Sequence, residues 1–105
     1  MGKQLVMPIL ENNGALLEKI EKLKEEQNEL YESYCVNKLY NTHDTKEHLV
    51  SEAYDCLQVA LGIILQAEKE LRIDLVKGND KHVAKLVNRQ VWTIKEKMFQ
   101  ILDYR

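Results

Sequence analysis

Hydrophobic positions recur every three or four residues in three stretches of the chain, the spacing that places them on one face of a helix. The first stretch predicts a helix from about Gly14 to Tyr40, with Leu16, Ile20, Leu23, Leu30, Tyr31 and Tyr34 as its apolar positions. Asn12 or Asn13 precedes it as a cap, because a short side-chain acceptor satisfies the free N–H groups of a first turn. The polar segment Asn41-Thr42-His43-Asp44 reads as a turn. The second stretch predicts a helix from about Thr45 to Val76. Asp44 would cap it, and Glu47 three residues on completes a capping box. Leu49, Val50, Ala53, Leu57, Ala60, Leu61, Ile64 and Leu71 form a broad stripe, and between Cys56 and Leu65 only Gln58 is polar. A helix that is apolar nearly all round is buried on most sides. Gly78 is the expected stop, with Asn79 or Asp80 as the next cap. A third helix follows from about Lys81 to Tyr104, on Val83, Leu86, Val87, Val91, Ile94, Met98, Ile101 and Leu102.

Composition narrows the fold class. A chain of 105 residues fits a single domain. One Pro and four Gly argue against a loop-rich sandwich. The expectation is an all-α domain over residues 1–105, with three main helices. A short turn makes the first two helices antiparallel neighbours, a helical hairpin. The second helix offers more apolar surface than two neighbours cover, so a homo-oligomer is expected. The formal charge of −2 gives no bulk attraction to a nucleic-acid polymer or an anionic membrane. Cys35 and Cys56 make neither a disulfide framework nor a zinc spacing. The start, Met1 to Pro8, is short for a signal peptide, and the apolar run from Cys56 to Leu65 is half a membrane span. The expected location is the cytoplasm.

The acidic residues carry the chemistry. The first helix holds Glu25-Glu26-x-x-Glu29 and the second Glu52-x-x-Asp55, about 22 residues apart across the turn. Spacing i,i+3 sets two side chains on one helix face, so each motif is a carboxylate pair able to grip one cation. Across an antiparallel hairpin the pairs can converge on an all-oxygen site, which favours Mg²⁺ or Mn²⁺ over zinc or copper. Glu52 shares its face with Cys56, Val59 and Ile63, Asp55 flanks it, and Glu26 borders the apolar stripe of the first helix. Carboxylates against a core cost free energy unless paired. The plain alternative for Glu25 and Glu26 is a solvated face with Lys22 as the i,i+3 and i,i+4 partner.

These residues resemble a known family. All-α nucleoside triphosphate pyrophosphohydrolases of the MazG type carry Glu-Glu-x-x-Glu and then Glu-x-x-Asp on the next helix. The chain has Glu25-Glu26-Gln27-Asn28-Glu29-Leu30 and Glu52-Ala53-Tyr54-Asp55-Cys56-Leu57. The likeness covers roughly Leu16 to Leu65. It departs at Asn28, where many members have Gly. A second stretch, Lys81-His82-x-x-Lys85-Leu86-x-x-Arg89, is similar to a basic segment of small MazG-like proteins. The resemblance implies a dimer or tetramer whose core is a four-helix bundle, and Mg²⁺-dependent hydrolysis of an NTP or dNTP to monophosphate and pyrophosphate. It implies Glu26, Glu29, Glu52 and Asp55 as metal-binding and catalytic residues, with Glu25 behind them or as an alternative ligand. Lys81, Lys85 and Arg89 would hold phosphates.

Other residues are weighed against blander roles. Tyr54 lies inside the Glu-x-x-Asp turn and is the best placed aromatic to stack on a base; Trp92, Tyr31 and Tyr34 read as core or interface aromatics. His43, His48 and His82 read as surface histidines, and both cysteines as small buried hydrophobes. The alternative function is a non-catalytic helical scaffold or regulator. Acids against the apolar second helix separate the two, since a scaffold has no reason to keep them there.

Overall fold

The computed structural model describes residues 6–9 and 14–89. It is all-helical, with α1 over Leu16–Tyr40, α2 over His43–Leu71 and α3 over Leu75–Arg89, and no strand among the described residues. The chain divides into two compact units. One is residues 8–73, which holds α1 and α2; α3 belongs to the other.

The turn between α1 and α2 is only Asn41 and Thr42. Asn41 takes the left-handed conformation at φ 48°, and its N–H donates to the Asn37 carbonyl at 2.7 Å. Asn tolerates that region better than most residues because its short polar side chain bonds locally. Thr42, not the expected Asp44, caps α2. Its hydroxyl accepts from the Thr45 N–H at 3.1 Å, and the Thr45 hydroxyl accepts from the Thr42 N–H at 2.9 Å. The Thr45 hydroxyl also donates to the Asn37 side chain at 2.8 Å, which ties the two helices at the turn. At the far end the Leu16 N–H donates to the Glu70 carboxylate at 3.1 Å. Glu70 thus does part of the work expected of Asn12 or Asn13, which lie outside the described residues; Ala15, at the N-cap, offers no side-chain bond. These two ties fix an antiparallel hairpin.

The hairpin buries little apolar surface. The buried residues are Glu26, Ser33 and Glu52, and no described hydrophobic residue is buried. The expectation that α2 is buried on most sides is not met within one chain: Cys56 to Ile63 are half-buried, while Val50, Ile64 and Leu71 are exposed. Two helices cover only one flank of each other, and the remaining stripe has no third layer inside the unit. By length and composition alone α2 could cross a membrane, with a mean hydropathy of 1.2 over 18 residues. The core helix of a bundle passes the same test.

The second helix boundary differs from the expected one. α2 ends at Leu71, and Arg72 takes the left-handed conformation at φ 53°. The Asp74 carboxylate then accepts from the N–H groups of Val76 at 2.9 Å and Lys77 at 3.2 Å, capping α3. Gly78 lies inside α3 and does not stop a helix. A glycine only permits a break; an aspartate with two donors in reach stabilises one. The expected third helix beyond Arg89, including Val91, Trp92, Ile94, Met98, Ile101 and Leu102, lies outside the described residues.

Candidate metal centre

The hairpin register sets the middle of α1 against the first half of α2. Glu26 and Glu29 project from α1 one turn apart, and Glu52 and Asp55 do so from α2. Oxygens of Glu26, Glu52 and Asp55 lie within 4.8 Å of one another. Glu26 is 6% exposed and Glu52 9%, so the deepest side chains of the unit, with Ser33, include two carboxylates.

Each of these two glutamates has one oxygen served and one not. Glu26 Oε1 is 3.1 Å from Lys22 Nζ, and Glu52 Oε1 is 3.4 Å from His48 Nε2. Oε2 of both is buried without a hydrogen-bond partner. A buried polar oxygen left unpaired costs about 1–3 kcal/mol. The donor set is all carboxylate oxygen, from two buried side chains and the exposed Asp55, which fits a hard divalent cation such as Mg²⁺ or Mn²⁺.

The electrostatics mark the same point. The Glu29 carboxyl is exposed, yet it is held above its ordinary value of 4.5, first by the negative charge of Glu26, then by lost solvation, then by Glu52. The Cys56 thiol is pushed up by burial first, and further by Glu26, Asp55, Glu52 and Glu29. Four carboxylates therefore act on one thiol half-way along the hairpin. The Lys22 ammonium is stabilised by its hydrogen bonds to Glu26 and Glu25.

The structure gathers Glu26, Glu52 and Asp55, with Glu29 at their edge. Glu25 points outward and pairs with Lys22 at 3.2 Å, the solvated arrangement weighed above. Tyr54 is partly exposed on α2 between Glu52 and Asp55. Lys81, His82 and Lys85 are exposed on α3, in the other unit; Arg89 is the last described residue of that helix, and its side chain lies outside the described ones. Cys35 is exposed rather than buried, because α1 turns that position away from α2. Tyr31 and Tyr34 are exposed too. His48, read from the sequence as a surface histidine, is exposed and also reaches Glu52. The signal was the i,i+4 spacing, the same that pairs His43 Nε2 with Glu47 Oε1 at 2.8 Å.

No protein-family model, curated protein or solved structure matches the chain.

Proposed function

We propose that the chain is a Mg²⁺-dependent nucleotide pyrophosphohydrolase of the MazG type. It would cleave a nucleoside or deoxynucleoside triphosphate to monophosphate and pyrophosphate. The observation that carries this reading is the pair of buried glutamates on facing helices, each with an unpartnered Oε2, beside Asp55. Interaction scaffolds gain nothing from such a pair, whereas a hydrolase for phosphoanhydrides needs it.

Glu26, Glu29, Glu52 and Asp55 would hold Mg²⁺, with Mn²⁺ as a substitute. When bound, the ion supplies positive charge for the phosphates and makes water more acidic. The chain's own residues do the rest. The hairpin ties at Thr45–Asn37 and Leu16–Glu70 keep the carboxylates in register. A glutamate oxygen not used as a ligand accepts the proton of the attacking water. Water adds across the bond between the α and β phosphates, and the products are the nucleoside monophosphate and pyrophosphate. Lys81, Lys85 and Arg89 are proposed to hold phosphate oxygens.

The functional form on this reading is a cytoplasmic homodimer or homotetramer in which hairpins pair into a four-helix bundle. Support comes from the absence of any buried hydrophobic residue among the described ones, and from Val50, Ile64 and Leu71 lying exposed on α2. A folded helix pair of this length needs its apolar faces packed. Neither a nucleic-acid polymer nor a membrane is required.

The test is pyrophosphate release from a panel of NTPs and dNTPs with Mg²⁺, with Glu52→Gln as control. The expected result is release that the variant abolishes. Orthophosphate as the product, or no release from a folded oligomer with any nucleotide, would overturn the assignment and favour the scaffold.

A further inference from the structure

One turn of helix away from the carboxylates, on the side of the α1–α2 groove that holds Lys22, lies a cavity of about 280 Å³. Its walls include Ile9, Lys19, Lys22, Gln58, Gly62 and Leu65, all within the unit of residues 8–73. Gln58 holds one wall in place: its Nε2 donates to the Pro8 carbonyl at 2.6 Å, and so keeps the segment carrying Ile9 against α2. Gly62 leaves another wall bare, since a Cβ there would meet nothing within 4 Å. We propose that this cavity takes the heterocyclic base of the nucleotide, a proposal that rests on the carboxylate site serving the phosphates.

Size, surface and position agree on that occupant. Whole-ligand pockets run to about 300–1,000 Å³, so this one suits a single ring system rather than an entire triphosphate. Its apolar faces (Ile9, Leu65) and its bare glycine wall suit a flat ring, and the Gln58 amide gives it a polar edge. Lys22 belongs both to the cavity wall and to the carboxylate site, where its ammonium meets Glu26. A ligand seated by its ring in the cavity therefore points its remaining length past Lys22 toward Glu26, Glu52 and Asp55. Lys19 and Lys22 line the cavity against a single carboxylate, Glu18, a balance of charge that leans toward a ligand with an anionic end.

The test measures binding, by calorimetry with Mg²⁺, of α,β-methylene nucleoside triphosphates carrying a pyrimidine or a purine, against inorganic tripolyphosphate. Gly62→Leu fills the cavity from α2 and Ile9→Trp fills it from the opposite wall without touching a helix. Gly62→Ala is the control, because the Cβ has room and alanine suits a helix interior better than glycine. Wild type and Gly62→Ala are expected to bind one analogue at least about tenfold tighter than tripolyphosphate, and both filling variants to lose that advantage with tripolyphosphate unchanged within about twofold. If Gly62→Leu does not fold, Ile9→Trp decides alone. Three results overturn the proposal: no advantage of the nucleotide over tripolyphosphate in wild type, an advantage that survives filling, or an oligomer that filling takes apart, which assigns the cavity to a second copy. If Mg²⁺ does not raise the melting temperature and neither ligand binds, the carboxylate reading fails first, and the base site falls with it.

Discussion

The Lys22 ammonium sits 3.1 Å from one oxygen of Glu26 while the other oxygen of the same carboxylate is buried and unpartnered. A single, half-exposed positive charge thus faces a cluster of carboxylates. Lys22 is a resident counter-ion that partly offsets the repulsion, and it competes with any dication for Glu26. Lys22→Met is expected to bind Mg²⁺ about three- to tenfold tighter than wild type, since one like charge is removed from a few ångströms away in a partly solvated site. Calorimetric titration with Mg²⁺ checks this, with Lys24→Met as the control on an exposed position of the same helix. Weaker or unchanged binding in Lys22→Met contradicts the role.

Glu29 gives the site a pH dependence with a definite sign. Its folded carboxyl is raised above 4.5, mainly by Glu26. Between 4.5 and that raised value the folded protein keeps a proton that the unfolded chain has released. Stability from this group is therefore full below 4.5 and is lost as pH rises through the folded value. Without metal, the melting temperature of Glu29→Gln minus that of wild type is expected to grow as pH rises through this window. A difference that stays flat with pH contradicts the placement of Glu29 beside Glu26 and Glu52.

The exposed face of α2 makes the oligomer testable. Ile64 is 48% exposed in a single chain, on a helix whose middle is almost wholly apolar. Light scattering is expected to give a dimer or tetramer for wild type at micromolar concentration, and Ile64→Glu to weaken or dissolve it by burying a charge in the contact. A monomeric, folded wild type contradicts the four-helix bundle.

The turn carries a measurable share of the hairpin's stability. Thr42→Ala removes an acceptor for the Thr45 N–H and is expected to cost about 1 kcal/mol, or about 4–8 °C in melting temperature for a unit of this size. Thermal unfolding of the variant measures it. A loss of no more than a few tenths of a kcal/mol would show that the reciprocal Thr42–Thr45 bonds do not set the turn.

α1 and the turn were legible in the sequence because hydrophobic spacing and a polar tetrapeptide are local signals. The cap of α2 was displaced by two residues because Thr42 and Asp44 both offer a short side-chain acceptor, and only the reach of Thr45 back to Thr42 and across to Asn37 chose between them. The α2–α3 boundary was misplaced because Gly78 marks conformational freedom, while the two bonds to Asp74 set the start of α3. The carboxylates were legible through i,i+3 spacing on facing helices. Their depth was not: Glu26 was placed at the border of a stripe, and it is more buried than any leucine of α1. Burial depends on which flank of α1 meets α2, and that is a tertiary choice that helical period alone does not make. The contact of His48 with Glu52 and the cavity beside Gly62 depend on the same choice.

Glu26, Glu52 and their neighbours are proposed to form a site for a divalent cation. The most direct measurement is the melting temperature of wild type and Glu52→Gln as Mg²⁺ is raised to millimolar concentration. A ligand that binds only the native state at about 100 times its dissociation constant stabilises by about 2.7 kcal/mol. A rise of several degrees is expected in wild type. Glu52→Gln is expected to melt higher than wild type without metal, since one of the clustered carboxylates is gone, and to gain little from Mg²⁺. A wild-type melting temperature indifferent to Mg²⁺, or a rise of the same size in Glu52→Gln, would contradict it.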